Sequence, residues 1–289
     1  MEIQQQNLSS GQKYPLFGLG TYNIQENMTE AVDAALRRGY RLFDTAKVYN
    51  NESHLGDALE VSLPKHSLNR ADVVVQTKVL PYNDSERVRN DVLDSLAKLK
   101  TDYIDVVLIH YPKNNDCQNE DAVNRECRKV TYTVLLQLKA ENKIRTVGVS
   151  NYEVSHIQEI LADGQDLPSI NQIELHPHFT RVELVQFCKS AGILVQAFSS
   201  LAKQNQELLD SSELQQIASS HNSNPLHVLL SWAYNQNIAI IPKSSNPSRI
   251  DENLREVLRT RLTQDEISKL STLNRDKNYV GRCTGWLVV

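Results

Sequence analysis

"SERVRNDVLDSLAKLKTDYIDVVLIH", residues 85–110, decides the fold class of this chain. Its first part has helical period, with Val88, Val92, Leu93, Leu96 and Leu99 assigned to one face over residues 85–99. Then the period changes. "YIDVVLIH" is a nearly continuous apolar run, the pattern of a strand buried on both faces in a parallel sheet. A helix leading directly into such a strand is one step of a β/α alternation.

Working outward, the step recurs. Upstream lie a short run at Leu16 to Leu19, a helical stretch from Glu26 to Arg38 stopped by Gly39, and a strand from Arg41 to Asp44. A helix near Ser53 to Val61 and the run "VVVQTK" from Val73 follow. Downstream come a helix over Asn124 to Asn142, "TVGVSN", a helix from Val154, "INQIELHP", a helix from Arg181 to Ser190 and "ILVQAFSS". Helical pattern then runs through Trp232 to Asn235, before the last strand "IAIIPK" and a helix near Pro247 to Glu256.

Eight strand–helix units in about 270 residues imply an α/β fold, a closed (β/α)8 TIM barrel. An open doubly wound sheet is the alternative, but no GxGxxG follows the first strand, so its phosphate-binding turn is missing. Residues 2–15 are expected to form an N-terminal β-hairpin closing the barrel bottom, with Ser9, Ser10 and Gly11 at its turn. No Pro/Gly/Ser-rich linker divides residues 1–289, so one domain is expected.

Composition narrows the function. The chain is 289 residues long, 40% hydrophobic and 23% charged, with net charge −4. That balance disfavours nucleic acid or an anionic membrane as the main partner. No apolar run approaches the roughly 20 residues of a membrane helix. The four cysteines, Cys117, Cys127, Cys188 and Cys283, form no CxxC pair and suit reduced thiols in a cytoplasmic protein. His176 and His178 lack a third ligand at suitable spacing, so no metal is expected.

In such a barrel, chemistry collects at the C-terminal ends of the strands. Asp44, Lys78 and His110 end three consecutive strands, and Tyr49 follows the first of them on a loop. Taken singly, each has an ordinary role: turn former, solvated charge, hydrogen-bonded histidine, packed aromatic. Together they converge on one mouth. A lysine there needs a partner, and Asp44 supplies it. An ammonium beside Tyr49 favours the phenolate and lowers the phenol from about 10 toward neutrality. Such a tyrosine suits a general acid that protonates a developing alkoxide, with His110 orienting the carbonyl. Side chains carry no hydride, so a nicotinamide is required.

These residues lie within a longer series: "GLGTYN" (18–23), "GYRLFDTAKVYNNE" (39–52), "QTK" (76–78), "DYIDVVLIHYP" (102–112), "GVSNY" (148–152), "NQIELHP" (171–177) and "IPKSSNPSRIDEN" (241–253). In that order, over nearly the whole chain, they resemble the aldo-keto reductase family. The resemblance implies a (β/α)8 barrel that binds NADP(H) in extended form, and a catalytic set of Asp44, Tyr49, Lys78 and His110. It implies a nicotinamide carboxamide on Ser150, Asn151 and Gln172, with Phe198 stacked on the ring where tyrosine is commoner. Thr21, Tyr22 and Asp44 would border the reacting end, and Ser199 and Leu201 the pyrophosphate. Lys243, Ser244 and Arg249 would surround the adenosine 2′-phosphate, for which an Arg fork and a Lys point charge are suited. The helix start beyond Pro247 would add donors, and Asn253 would meet the adenine.

The substrate site is expected at Tyr22, Tyr49, His110, Tyr111 and Trp286. Tyr22 and Tyr111 stand where many family members have tryptophan, and the tail after Trp286 is short, so small aldehydes or ketones are expected. Two other functions stay open: a barrel lyase using Lys78 as a Schiff-base nucleophile, and a cofactor-sensing regulatory subunit that keeps the catalytic set. A monomer is the family expectation; the sequence itself does not decide it.

Overall fold

A computed structural model of the chain describes residues 2–281 and 285–289, apart from the Trp286 side chain. The expectations for Cys283 and for Trp286 as a pocket residue fall outside these residues.

Polar residues open the chain as an antiparallel hairpin, β1 (Gln5–Asn7) and β2 (Lys13–Pro15), with Gly11 at φ 81° in its turn. The barrel strands are β3 (Leu19–Gly20), β4 (Leu42–Asp44), β5 (Val74–Val79), β6 (Ile104–Ile109), β7 (Ile144–Ser150), β8 (Ile170–Glu174), β9 (Leu194–Phe198) and β10 (Ala239–Ile240). They pair in parallel, each with its neighbour in sequence. Bridges Phe17–Ile240 and Gly20–Lys243 join the first strand to the last and close the cylinder. The seam is made by Gly18 N–H to Ile240 O (2.9 Å), Ile240 N–H to Leu16 O (2.9 Å) and Gly20 N–H to Pro242 O (3.2 Å). Gly20 is required there, because a Cβ would sit 2.7 Å from the Ile241 carbonyl.

The helices are α1 (Met28–Arg38), α2 (Glu52–Lys65), α3 (Ser85–Lys98), α4 (Val123–Ala140), α5 (Val154–Ala162), α6 (Val182–Ser190), α7 (Gln206–Leu209), α8 (Ser212–Ser220), α9 (Pro225–Tyr234), α10 (Pro247–Arg259) and α11 (Gln264–Ser271). The α3–β6 step has the expected form. Asp84 caps α3 by accepting from Glu86 and Arg87 N–H, both at 3.0 Å. Val88, Val92, Leu96 and Leu99 are buried. Leu93 was expected on the same face but is 38% exposed, because it lies a full 100° turn step round from Val92. Gly39 ends α1 at φ 104°, where its N–H returns to Ala35 and Leu36 carbonyls.

Two stretches are richer than the sequence pattern suggested. The helical region before β10 divides into α7, α8 and α9, with breaks where Ser211 and Asn224–Pro225 start new helices. After α10, Thr263 and Glu266 form a reciprocal capping box that starts α11.

The hairpin does close the bottom. Ser9 bonds to Ser169, Ser10 to Thr146, and Gln12 to both Asp105 and Thr146. At the other end, residues 275–280 return as a strap. Glu174 accepts the N–H groups of Tyr279 (2.7 Å) and Val280 (3.1 Å), and the Tyr279 hydroxyl meets His178 Nδ1 at 2.8 Å. Further on, the Val288 carbonyl is held by His156 and the Val289 carbonyl by Arg128. No helix among the described residues is long and apolar enough to cross a membrane.

Candidate active site

Asp44 is the last residue of β4, and its register neighbour Gln76 lies on β5, two residues before Lys78. Strand alternation therefore turns Asp44, Gln76 and Lys78 into the same interior. Lys78 is 1% exposed and gives its ammonium to Asp44 Oδ2 (2.7 Å), Asp44 Oδ1 (2.8 Å) and the Thr45 carbonyl (2.9 Å). Burial of a charge on this scale is tolerable only with such pairing.

Tyr49 comes to this pair on a one-turn helix, Lys47–Tyr49, ended by Asn50 at φ 54°. Lys47 pins the turn to α3 through Asp94 (2.6 Å) and Asp91 (3.3 Å). Buried Asn51 pins the other side. It accepts from the Thr45 hydroxyl (2.7 Å) and donates to the carbonyls of Thr21 (2.8 Å) and Ile24 (2.9 Å), which ties the loop after β4 to the loop after β3. The result is a cluster of rings. Lys78 Nζ lies 5.0 Å from the Tyr49 centroid, His110 meets Tyr49 edge-on at 5.7 Å, and Tyr22 does so at 5.0 Å. The four expected catalytic residues are thus in one place.

The expected cofactor residues divide. Ser150, Asn151 and Gln172 adjoin: Ser150 Oγ donates to the Gln172 carbonyl (2.9 Å), and Asn151 Nδ2 donates to Ser150 Oγ (2.9 Å) and the His110 carbonyl (3.0 Å). Asn151 sits at φ 61°, and its Oδ1 is buried with no hydrogen-bond partner among the described residues. Thr21 is fully buried, and its hydroxyl donates to the Asp44 carbonyl. Phe198 and Leu201 pack at the edge of the core, half-buried. Ser199 is half-buried at φ 51°.

The last cluster follows β10. Lys243 and Arg249 are exposed, and neither has an ion-pair partner among the described residues. Ser244 is buried and bonded to Asn246 N–H at 3.1 Å. The start of α10 offers less than expected. Asn246 Oδ1 already accepts from Ser248 and Arg249 N–H, because an Asn preceding Pro is a strong N-cap. Asn253 is half-buried on α10. Tyr22 is 51% exposed and Tyr111 half-buried at the mouth.

His176 and His178 have structural partners. His176 is fully buried at 3.0 Å from Glu174, and both rings flank Tyr279 of the strap.

Four residues with no role in the sequence reading belong here: Asn51, and Tyr14, Gln76 and Gln196 beneath Asp44. Gln76 Nε2 donates to Asp44 Oδ1 (2.6 Å) and Gln196 Oε1 (2.7 Å). Gln172 Nε2 does the same at 3.0 and 2.7 Å. Tyr14 donates to Gln76 Oε1 (2.6 Å) and accepts from Gln196 Nε2 (2.7 Å). The available signal was a glutamine in the middle of each of two apolar strands, "VVVQTK" and "ILVQAF".

Comparison with known proteins identifies the family and agrees with the fold. The model of the Aldo/keto reductase family matches residues 14–275. Glyoxal reductase of Bacillus subtilis (strain 168) is 34% identical over 275 residues, covering 93% of this chain and 92% of that protein. Glycerol 2-dehydrogenase (NADP(+)) of Saccharomyces cerevisiae is 33% identical over 292 residues, covering 94% and 91%. The solved aldose reductase of Schistosoma japonicum superposes with TM-score 0.85 at 30% identity, over 98% of this chain and 97% of that one.

Proposed function

Since the chain belongs to the aldo/keto reductase family of oxidoreductases, we propose that it carries out reversible, NADPH-dependent reduction of small aldehydes or ketones, with Tyr49 as general acid. The observation that carries this reading is the placement of the Lys78 ammonium. It is locked on Asp44 and Thr45 and lies 5.0 Å from the Tyr49 ring, which His110 meets edge-on at 5.7 Å. The ammonium favours the phenolate that remains once Tyr49 has given its proton to the alkoxide, and it favours that same phenolate as base in the reverse direction. His110 orients the carbonyl oxygen by a hydrogen bond, and Tyr22 and Tyr111 wall the mouth.

The bound nicotinamide would supply hydride. The residues present suit it. Buried Asn151 Oδ1 lacks a donor among the described residues, and a carboxamide N–H would satisfy it. Both hydrogens of Gln172 Nε2 are taken by Asp44 and Gln196, so Gln172 would meet a carboxamide through Oε1. Lys243 and Arg249 would take the 2′-phosphate, which favours NADPH over NADH. The relative named for NADP(+) supports the same preference, and the glyoxal reductase supports a small, reactive carbonyl.

A Schiff-base lyase fits less well. Its lysine must lose a proton to become a nucleophile, whereas Lys78 gives its hydrogens to a carboxylate and a carbonyl.

The test is turnover of a panel of small aldehydes, dicarbonyls and ketones, followed by loss of NADPH absorbance. Tyr49→Phe should lower kcat by about 10²–10⁴-fold, the usual weight of general acid catalysis, while NADPH binding measured by fluorescence stays as in the parent. Undiminished kcat in Tyr49→Phe would end the assignment.

A further inference from the structure

We propose that Tyr14, Gln76 and Gln196 form a positioning relay that runs from the barrel floor to Asp44 and sets how readily Tyr49 releases its proton. The proposal deepens the reading of Tyr49 given above and rests on it for its catalytic meaning.

The three side chains close a cycle. The Tyr14 hydroxyl donates to Gln76 Oε1 at 2.6 Å, Gln76 Nε2 donates to Gln196 Oε1 at 2.7 Å, and Gln196 Nε2 donates back to the Tyr14 oxygen at 2.7 Å. All three run in one direction, so each bond polarises the next. The second hydrogen of Gln76 Nε2 leaves the cycle and meets Asp44 Oδ1 at 2.6 Å. Gln172 joins from β8, sharing Gln196 Oε1 and Asp44 Oδ1.

Every member is buried: Tyr14, Gln76 and Gln196 are 0% exposed and Gln172 is 2%. Apolar side chains would fill the same volume without the desolvation cost that buried amides carry. The cycle also keeps a fixed sense. Burial first, and then the Asp44 charge, hold the Tyr14 phenol well above its ordinary range, so it stays a donor.

The consequence follows from charge sharing. Asp44 Oδ1 accepts from two neutral amides as well as from Lys78. Amides that spread the carboxylate charge leave more of the Lys78 charge uncancelled at Tyr49. Lys78 on β5, His110 after β6 and Tyr22 after β3 lie against the Tyr49 ring, and Asp44 on β4 is paired with that lysine. Below the cycle, Asp105 faces Tyr14 and is itself paired with Arg70 (2.7 Å) and Arg145 (3.5 Å). Among these groups only the Asp44–Lys78 pair is touched by the relay. Removing an amide donor concentrates charge on Asp44, cancels more of Lys78 and makes the Tyr49 phenolate less favourable.

The experiment titrates Tyr49 directly, by NMR of protein carrying isotopically labelled tyrosine, with Tyr49→Phe assigning its signal among the 11 tyrosines. Tyr14, Tyr40, Tyr132, Tyr152 and Tyr234 are all raised above the ordinary phenol value, chiefly by burial, and stay clear of the window. Gln76→Leu should raise the Tyr49 midpoint by ~1 pH unit. Tyr14→Phe, which removes one hydroxyl at the floor and keeps the shape, should raise it by less. Where turnover is measured alongside, the pH limb of kcat should move with the midpoint and KM should not. If Gln76→Leu does not fold, Tyr14→Phe carries the test. An unmoved midpoint in a folded variant overturns the relay whatever its turnover. A moved midpoint in a protein that reduces no carbonyl upholds the relay and removes only the catalytic role of Tyr49.

Discussion

An ammonium that is 1% exposed needs an oxygen for each of its donors, and Lys78 has two from Asp44 and one from Thr45. Taking the amine away leaves the Asp44 charge buried with the Gln76 and Gln172 amides as its side-chain donors among the described residues. Lys78→Met should therefore lose about 3–5 kcal/mol of unfolding free energy, the usual result of breaking a buried pair from one side; urea denaturation would measure it, and a loss near zero would contradict the pairing. Asp44, Lys78 and His110 were legible in the sequence because each interrupts an apolar strand at its end. Gln76 and Gln196 interrupt their strands in the middle, where alternation sends them into the barrel below the mouth. A single strand does not tell which other strand its interior residue will meet. Asn51 was equally silent, since its three partners lie on two loops that only the closed barrel brings together.

At the scale of elements, period was the reliable signal. The β/α alternation from β3 to α6 follows the sequence pattern closely because the strands are short runs rich in Val, Ile, Leu and Phe and each helix has one apolar face. Amphipathic period fixes an arc rather than a list, which is why Leu93 lies outside the buried face of α3. Caps were less legible. Asn246 starts α10 but also occupies two of the donors that an anion would use there. A phosphate at this site would then depend more on side-chain charge than on the helix end. Arg249→Ala should weaken NADPH binding by about 10–100-fold, the worth of one charge-assisted bond, and leave NADH nearly unchanged. Equal losses for the two cofactors in a binding titration would remove the 2′-phosphate from Arg249.

At the scale of the whole molecule, the histidine that anchors Val288 makes the barrel sensitive to acid. His156 is 2% exposed, and burial, followed by the charge of Arg128, lowers its pKa to about 4. Its Nδ1 accepts from Glu153 N–H (3.1 Å) while Nε2 holds the Val288 carbonyl (2.9 Å), so the fold needs the neutral ring. In the unfolded chain the same ring takes a proton near pH 6.5. The unfolded state thus binds more protons as pH falls between these values. The contribution of the neutral ring is complete above about pH 6.5 and is lost toward pH 4, about 3 kcal/mol in all. Urea unfolding measured across that range should show the decline in the parent and a shallower one in His156→Asn.

The barrel's first and last strands are two residues each, and they meet through a few backbone bonds beside Gly20. Thr21 and Tyr22 stand on one lip of that join, Lys243 and Ser244 on the other. A dinucleotide bound as proposed, reaching from lip to lip, would serve as a clasp on a part of the cylinder wall held by few backbone bonds. Its arrival would then stiffen the molecule more than reshape it, and the hoop would be tightest when it is ready to work.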